Sequence, residues 1–171
     1  MLPCRETLDG LVAAHFAGRH ANRLSAYVRS DRNMNESGYT LRPIGVVRSQ
    51  LTSLEAAPLQ GDEGAPEAWL ELAAPVAQGL VGIEAGDQLM VLTWLHRARR
   101  DVLQVHPRGR LEVPLTGVFA TRSPDRPNPV GLHRVTVLEA AGYRLRVAPM
   151  EAIDGTPIVD IKPVLVQAHE R

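Results

Sequence analysis

Six or seven short runs of strand-forming residues, each cut off by Gly, Pro or Asp-Gly, leave this chain of 171 residues few ways to fold. The runs are Tyr39–Ser49, Ala68–Ala73, Asp87–Leu95, Val113–Thr121, Val130–Leu138, Tyr143–Val147 and Ile158–Val166. Tyr143–Val147 alternates apolar and polar residues, as a half-buried strand does. Asp87–Leu95 is mostly apolar, as a strand covered on both faces would be. Helical period is confined to Leu8–Phe16 near the N-terminus and a short stretch at Val76–Leu80. This pattern predicts an all-β antiparallel sandwich or barrel and argues against alternating β-α-β winding. A hydrophobic share of 44% supplies a core, and 4% aromatics means that aliphatic side chains build it.

The strand texture begins near residue 38, so the expected organisation is an N-terminal extension over residues 1–37, a β domain over 38–167 and a tail over 168–171. Arg19 to Asn33 carries many polar side chains with few apolar partners, and Ser30–Gly38 reads as a linker. Met34 stands just before the first strand signal. Two readings of residues 1–33 stay open: a start placed too early, or a weakly ordered extension. Residues 51–66 read as a long loop, and loops of that length inside a compact domain usually carry function or mobility.

Composition excludes several classes. Basic and acidic side chains number 19 each, so the chain is not a bulk polycation that coats nucleic acid. Cys4 is the only cysteine, which rules out an internal disulfide and a Cys-based metal site. The six His stand at 15, 20, 96, 106, 133 and 169, with no metal-ligand spacing, so no metal is expected. Dinucleotide, Walker and nucleophile-elbow motifs are absent. No apolar run approaches a membrane span, and the N-terminus lacks a signal-peptide core, so the expected location is the cytoplasm.

Three stretches carry chemistry. In Gly117–Leu132, Pro124, Pro127 and Pro129 fix three φ angles within six residues. Arg126 and Asn128 each precede a proline and are pushed toward extended backbone. Such a loop holds Arg122, Arg126 and Asn128 in set directions at small ordering cost, as a binding edge requires; a stiff structural turn is the plainer account. In Met150–Pro163, Asp154-Gly155 signals a turn, and Asp160 and Lys162, two apart on a strand, share a face. A site and a structural ion pair are both open there. Finally, the window from His96 to Arg126 holds seven Arg against Asp101, Glu112 and Asp125, a net +4 in a chain of net zero. A basic patch of this kind attracts phosphates, and a solvated loop without a partner is the alternative.

Gly117–Leu132 followed by Asp154–Pro163 resembles the TsaA-like (TrmO) family. Pro43–Ser49 resembles its first strand, and His106-Pro-Arg-Gly109 is similar to a segment of some members. The resemblance spans about residues 40–165. It implies a small single-sheet antiparallel β-barrel of about seven strands that binds S-adenosylmethionine, often as a homodimer. Characterised members methylate tRNA, on the exocyclic nitrogen of threonylcarbamoyladenosine beside the anticodon. By motif position, cofactor contacts carry over to Gln60, Gly61, Leu95, His96, Arg122, Leu132, Met150, Glu151 and Ala152. Arg126 and Asn128, with Arg108 and Arg110 of the basic window, are expected on the tRNA side. Asp154, Asp160 and Lys162 are the expected catalytic groups, since a poor nitrogen nucleophile benefits from a carboxylate that orients or removes its proton.

The chain departs from the family pattern at several places. Gln50 stands where Pro is frequent, His133 where Ser or Thr is usual, Glu151 where Asp is usual and Val164 where Tyr often follows Lys-Pro. Longer bacterial members carry a C-terminal domain that helps with tRNA, and this sequence runs eight residues past Pro163. The resemblance therefore implies the cofactor more directly than the tRNA. Two other functions stay open: a non-catalytic S-adenosylmethionine-binding module, and a methyltransferase for another small substrate.

Overall fold

A computed structural model describes residues 40–165. The helix expected at Leu8–Phe16, the linker, the alternative start at Met34 and the tail lie outside the described residues. Six strands close into one barrel: β1 (Gly45–Arg48), β2 (Ala68–Leu72), β3 (Gln88–Trp94), β6 (Val130–Ala141), β7 (Arg144–Ala148) and β8 (Pro157–Pro163), in the order β1-β2-β7-β6-β3-β8 with β8 returning to β1. Every neighbouring pair is antiparallel. Two-residue strands β4 (Gln104–Val105) and β5 (Thr116–Gly117) pair separately as a small ribbon. The barrel thus uses six strands, with a two-stranded ribbon beside it, where the sequence predicted about seven in one sheet.

Alternation explains why the sheet closes on itself. β2 buries Ala68, Leu70 and Leu72, β6 buries Val135 and Val137, and β7 buries Leu145 and Val147, each with its intervening residues facing out. With Val47, Leu89, Val91, Met150 and Ile158 they fill the interior. Fully burying one such side chain is worth about 1.5–3 kcal/mol, so the inward row of each strand fixes its register. Register shifts leave Val159 of β8 and Leu138 of β6 as extra residues opposite β3 and β7, and these bulges bend β8 and β6, as closure of a small barrel requires. On the outer wall Arg146 pairs with both Glu67 and Glu139, and Arg144 lies over Trp69.

The run Val113–Thr121 is not one strand. Only Thr116–Gly117 pairs; Val118–Ala120 forms a 3-10 turn. The turn persists because its carbonyls have nearby donors. Thr121 Oγ1 donates to Val118 O, and the Arg126 guanidinium reaches the same oxygen. Val76–Leu80 falls within a 3-10 helix, Ala74–Leu80. Residues 51–66 form the expected long connection from β1 to β2, interrupted only by a 3-10 turn at Gly61–Glu63.

The antiparallel order places the ends of β1, β3 and β7 and the starts of β2, β6 and β8 at one end of the barrel. The long loop, the Arg-Pro loop and the segment between β7 and β8 therefore converge there.

Candidate functional site

At that end the interior changes character. The inward row of β3 runs Leu89, Val91, Thr93, and that of β6 runs Val137, Val135, His133, Gly131. Thr93, His133 and Thr156 are the buried polar residues among those described. Each is satisfied. Thr156 Oγ1 donates to Ile153 O at 2.7 Å. Thr93 Oγ1 and His133 Nε2 lie 2.8 Å apart, and His133 Nδ1 lies 2.8 Å from Glu151 Oε1. This Thr93–His133–Glu151 chain has room because residue 131 is Gly. A Cβ there would collide with Thr93 Oγ1 and stand 2.7 Å from His133 Nε2.

A cavity of about 610 Å³ opens above this floor, within the range of small-molecule sites. Its walls come from the long loop (Leu54 to Gln60), the turn after β3 (Leu95 to Ala98), the Arg-Pro loop (Arg122 to Arg126), the start of β6, and Glu151 to Ile153. Leu54, Leu59 and Leu132 line it while remaining 57%, 61% and 40% exposed, an uncovered apolar surface of the kind a ligand covers. Arg122 and Glu151 supply opposite charges within those walls. Burial acts to raise the Glu151 pKa, but the hydrogen bond and charge of His133, a backbone hydrogen bond and the Arg122 cation outweigh it and hold the carboxyl below its ordinary value.

The residues expected to contact a cofactor mostly meet here. Gln60, Leu95, His96, Arg122, Leu132, Glu151 and Ala152 all line the cavity. Gly61 does not, but it packs behind: a Cβ there would sit 3.1 Å from Pro149 and 3.3 Å from Glu151 Oε2. Met150 is fully buried in the core, so its side chain packs the barrel.

The expected catalytic groups lie elsewhere. Asp154 and Gly155 form the turn into β8, which is laced to β1: Asp154 Oδ1 accepts from the Ser49 N–H, and the Asp154 and Gly155 N–H groups donate to Leu51 O and Val47 O. Asp160 and Lys162 pair with each other at 2.8 Å, with side chains 45% and 63% exposed. None of the three lines the cavity.

The expected tRNA-side residues also divide. Arg126 lines the cavity, yet its guanidinium turns back into its own loop, donating to Ser123 O, Val118 O and Thr121 O at 2.7, 3.1 and 2.7 Å. Three of its five N–H donors, on Nε and Nη2, hold the loop. Arg108 pairs with Glu63 at 2.6 Å, while Asn128 and Arg110 are exposed. The sequence reading did not single out Thr93, Gly131 or His133 as site residues. The signal that finds them is period two along β6, which sets His133 on the same face as Val135 and Val137.

Comparison with known proteins fits this geometry. Residues 46–170 match the family described as the tRNA-methyltransferase O N-terminal domain. A probable S-adenosyl-L-methionine-binding protein of Methanothermobacter thermautotrophicus is 43% identical over 130 residues, covering 76% of this chain and 93% of that one. An S-adenosyl-L-methionine-binding protein of Archaeoglobus fulgidus is 43% identical over 122 residues, covering 71% and 86%. The crystal structure of TrmO from Pseudomonas aeruginosa superposes with a TM-score of 0.62 at 28% identity, over 81% of this chain. This chain spans 61% of that TrmO chain. With a family match over most of its length and relatives above 40% identity across nearly their whole length, the chain belongs to the tRNA-methyltransferase O N-terminal domain family.

Proposed function

We propose that the cavity binds S-adenosylmethionine and that the protein transfers its methyl group to the exocyclic nitrogen of threonylcarbamoyladenosine beside the anticodon of tRNA. The observation that carries the cofactor reading is that Arg122 and Glu151, of opposite charge, both line one leucine-walled cavity. The ligand has an apolar adenine face and a zwitterionic amino-acid end beside a sulfonium, so it needs apolar wall and both charges in one cavity. Relatives named as S-adenosyl-L-methionine-binding proteins support the same reading.

When bound, the cofactor supplies an electrophilic methyl group. The chain's own residues bind and orient. Leu54, Leu59, Leu95 and Leu132 shed water from the ligand, Arg122 takes its carboxylate, and Glu151 faces its cationic end. Gln60 and His96 offer hydrogen bonds at the rim, and Ala152 closes the floor without crowding it. These residues would hold the ligand with its methyl open to an incoming nucleophile, and a direct displacement of this kind would need no covalent enzyme intermediate. Asp154 and Asp160 are spent on Ser49 and Lys162, so neither is proposed to handle the nucleophile's proton. The tRNA part is supported by the exposed cations Arg97, which lines the cavity, Arg100, which follows it in the same loop, and Arg110, between β4 and β5.

A second reading is a binding module that holds S-adenosylmethionine and methylates no tRNA. The names of the relatives state binding only, and this chain spans 61% of the TrmO chain. One assay separates the two. The protein is incubated with methyl-labelled S-adenosylmethionine and with tRNA that carries or lacks the threonylcarbamoyl group. Label confined to the modified tRNA is the expected result. Cofactor binding with label in neither tRNA selects the binding module, and label in both refutes the threonylcarbamoyl assignment.

A further inference from the structure

We propose that His133 is a positioning residue, clamped between Thr93 and Glu151, that holds the Glu151 carboxylate in one orientation toward the cavity so that it meets the cationic end of the bound cofactor. The inference rests on the reading that the cavity takes S-adenosylmethionine.

His133 is 5% exposed, and both ring nitrogens are engaged. Its ring lines the cavity but has no free nitrogen for a ligand, so its polar influence passes through Glu151. The tautomer follows from the partners. An ionised carboxylate accepts only, so Nδ1 carries the proton and donates to Glu151 Oε1. Nε2 then faces a hydroxyl that both donates and accepts. Thr93 gives its proton to a neutral ring or takes one from a charged ring, and the chain survives either way. Glu151 has one oxygen fixed by His133 and the other, Oε2, beside Gly61, where the missing side chain leaves space. Gly131 leaves the space that the Thr93–His133 contact needs. Thr93 of β3, Gly131 and His133 of β6 and Gly61 of the long loop thus combine to aim one carboxylate.

Other charged or titratable groups face the same cavity: Arg122, Asp125 and Arg126 from the Arg-Pro loop, and His96 and Arg97 from the turn after β3. Asp125 is tied to Arg99 and Arg126 to carbonyls. Of these, Arg122 is the one whose charge acts on Glu151 besides that of His133.

The test uses the full chain and titrates S-adenosylmethionine by calorimetry. His133→Ala is expected to weaken binding about 10- to 100-fold, the range for a charge-assisted hydrogen bond. His133→Asn puts an amide nitrogen near the Nδ1 position and is expected to restore most of the affinity. His133→Gln reaches toward Thr93 instead and is expected not to. In a Glu151→Gln background, His133→Ala is expected to add no further loss. The acid limb of the binding profile is expected at higher pH in His133→Ala, because Glu151 has lost the partner that keeps it ionised. Equal affinity of folded His133→Ala and wild type overturns the proposal, as does rescue by Gln equal to rescue by Asn, or an undiminished loss in the Glu151→Gln background. If the Ala variant fails to fold, nitrogen NMR of the wild-type ring decides: a proton on Nδ1 is expected, and a proton on Nε2 alone overturns the proposal. Wild type that binds no S-adenosylmethionine overturns the cavity's assignment together with this inference, whereas wild type that binds beside an unaffected His133→Ala overturns the positioning role alone.

Discussion

Gly131→Ala tests whether the polar floor of the cavity is built as tightly as its geometry states. The added methyl points into the barrel, where it would collide with Thr93 Oγ1 and stand 2.7 Å from His133 Nε2 and 3.0 Å from Leu95 Cδ2. Thr93 and His133 are held by strands on both sides and by each other, so neither moves without breaking their 2.8 Å contact. Overpacking of this kind costs about 1–3 kcal/mol, and a lost buried hydrogen bond adds about 1 kcal/mol, which gives about 2–4 kcal/mol in all. For a chain of this size that lowers Tm by about 5–15 °C, read by thermal unfolding followed with circular dichroism. Thr93→Ala in the same background removes the colliding oxygen, so the double variant should be more stable than the sum of the singles predicts. A Gly131→Ala protein melting within about 2 °C of wild type would refute the reasoning, because it would mean the floor yields freely.

Arg126→Ala should cost about 2–4 kcal/mol in urea unfolding, because three carbonyls lose a charged donor at once, and Arg126→Lys should recover little of it. Asp160→Asn should change stability by less than about 1 kcal/mol, since its partner Lys162 is exposed; a large loss of methyl transfer in that variant would return Asp160 to the site. The Glu151 carboxyl titrates below its ordinary value of about 4.5, so its contribution to stability is full above that pH and is lost as pH falls through the lowered value. Acid unfolding of Glu151→Gln should therefore be less steep below about pH 4.5 than that of wild type. If tRNA binds along the basic loops, Arg97→Ala and Arg110→Ala should each reduce the salt slope of log K by about 1 and weaken all tRNAs alike.

The fold was legible because it rests on two patterns that a single sequence carries. Alternation in Ala68–Leu72 and Tyr143–Val147 marked inward rows, and the Gly, Pro and Asp-Gly stops marked the turns. Val113–Thr121 misled because Val118–Ala120 within it forms a 3-10 turn, held by Arg126, five residues beyond Thr121, through the Val118 and Thr121 carbonyls. The cavity walls were legible through family resemblance, since Gln60, Leu95, Arg122, Leu132 and Glu151 stand at motif positions. What each motif residue does was not. Asp154 and Arg126 look chemical in the sequence because they are polar and sit beside Gly and Pro. Those neighbours are also what lets a polar side chain fold back on the backbone, and both residues do so. His133 and Glu151 stand 18 residues apart, and only the closed barrel makes them one hydrogen-bonded unit.

The same folding back revises the meaning of the charge window. Its seven Arg suggested a broad basic surface, but Arg99 is matched by Asp125, Arg108 by Glu63, and Arg126 by carbonyls of its own loop. Arg100 lies over the Trp94 ring, and Arg122 faces the cavity beside Glu151. Arg97 and Arg110 have no ion-pair partner among the described residues. An RNA reader built on so few open cations gains little affinity from phosphates alone, because each neutralised phosphate contributes through the release of its counterions. In the proposed reaction on tRNA, discrimination therefore rests on what enters the cavity. Under the proposed methyl transfer, that places the burden of recognition on the walls around Arg122 and Glu151.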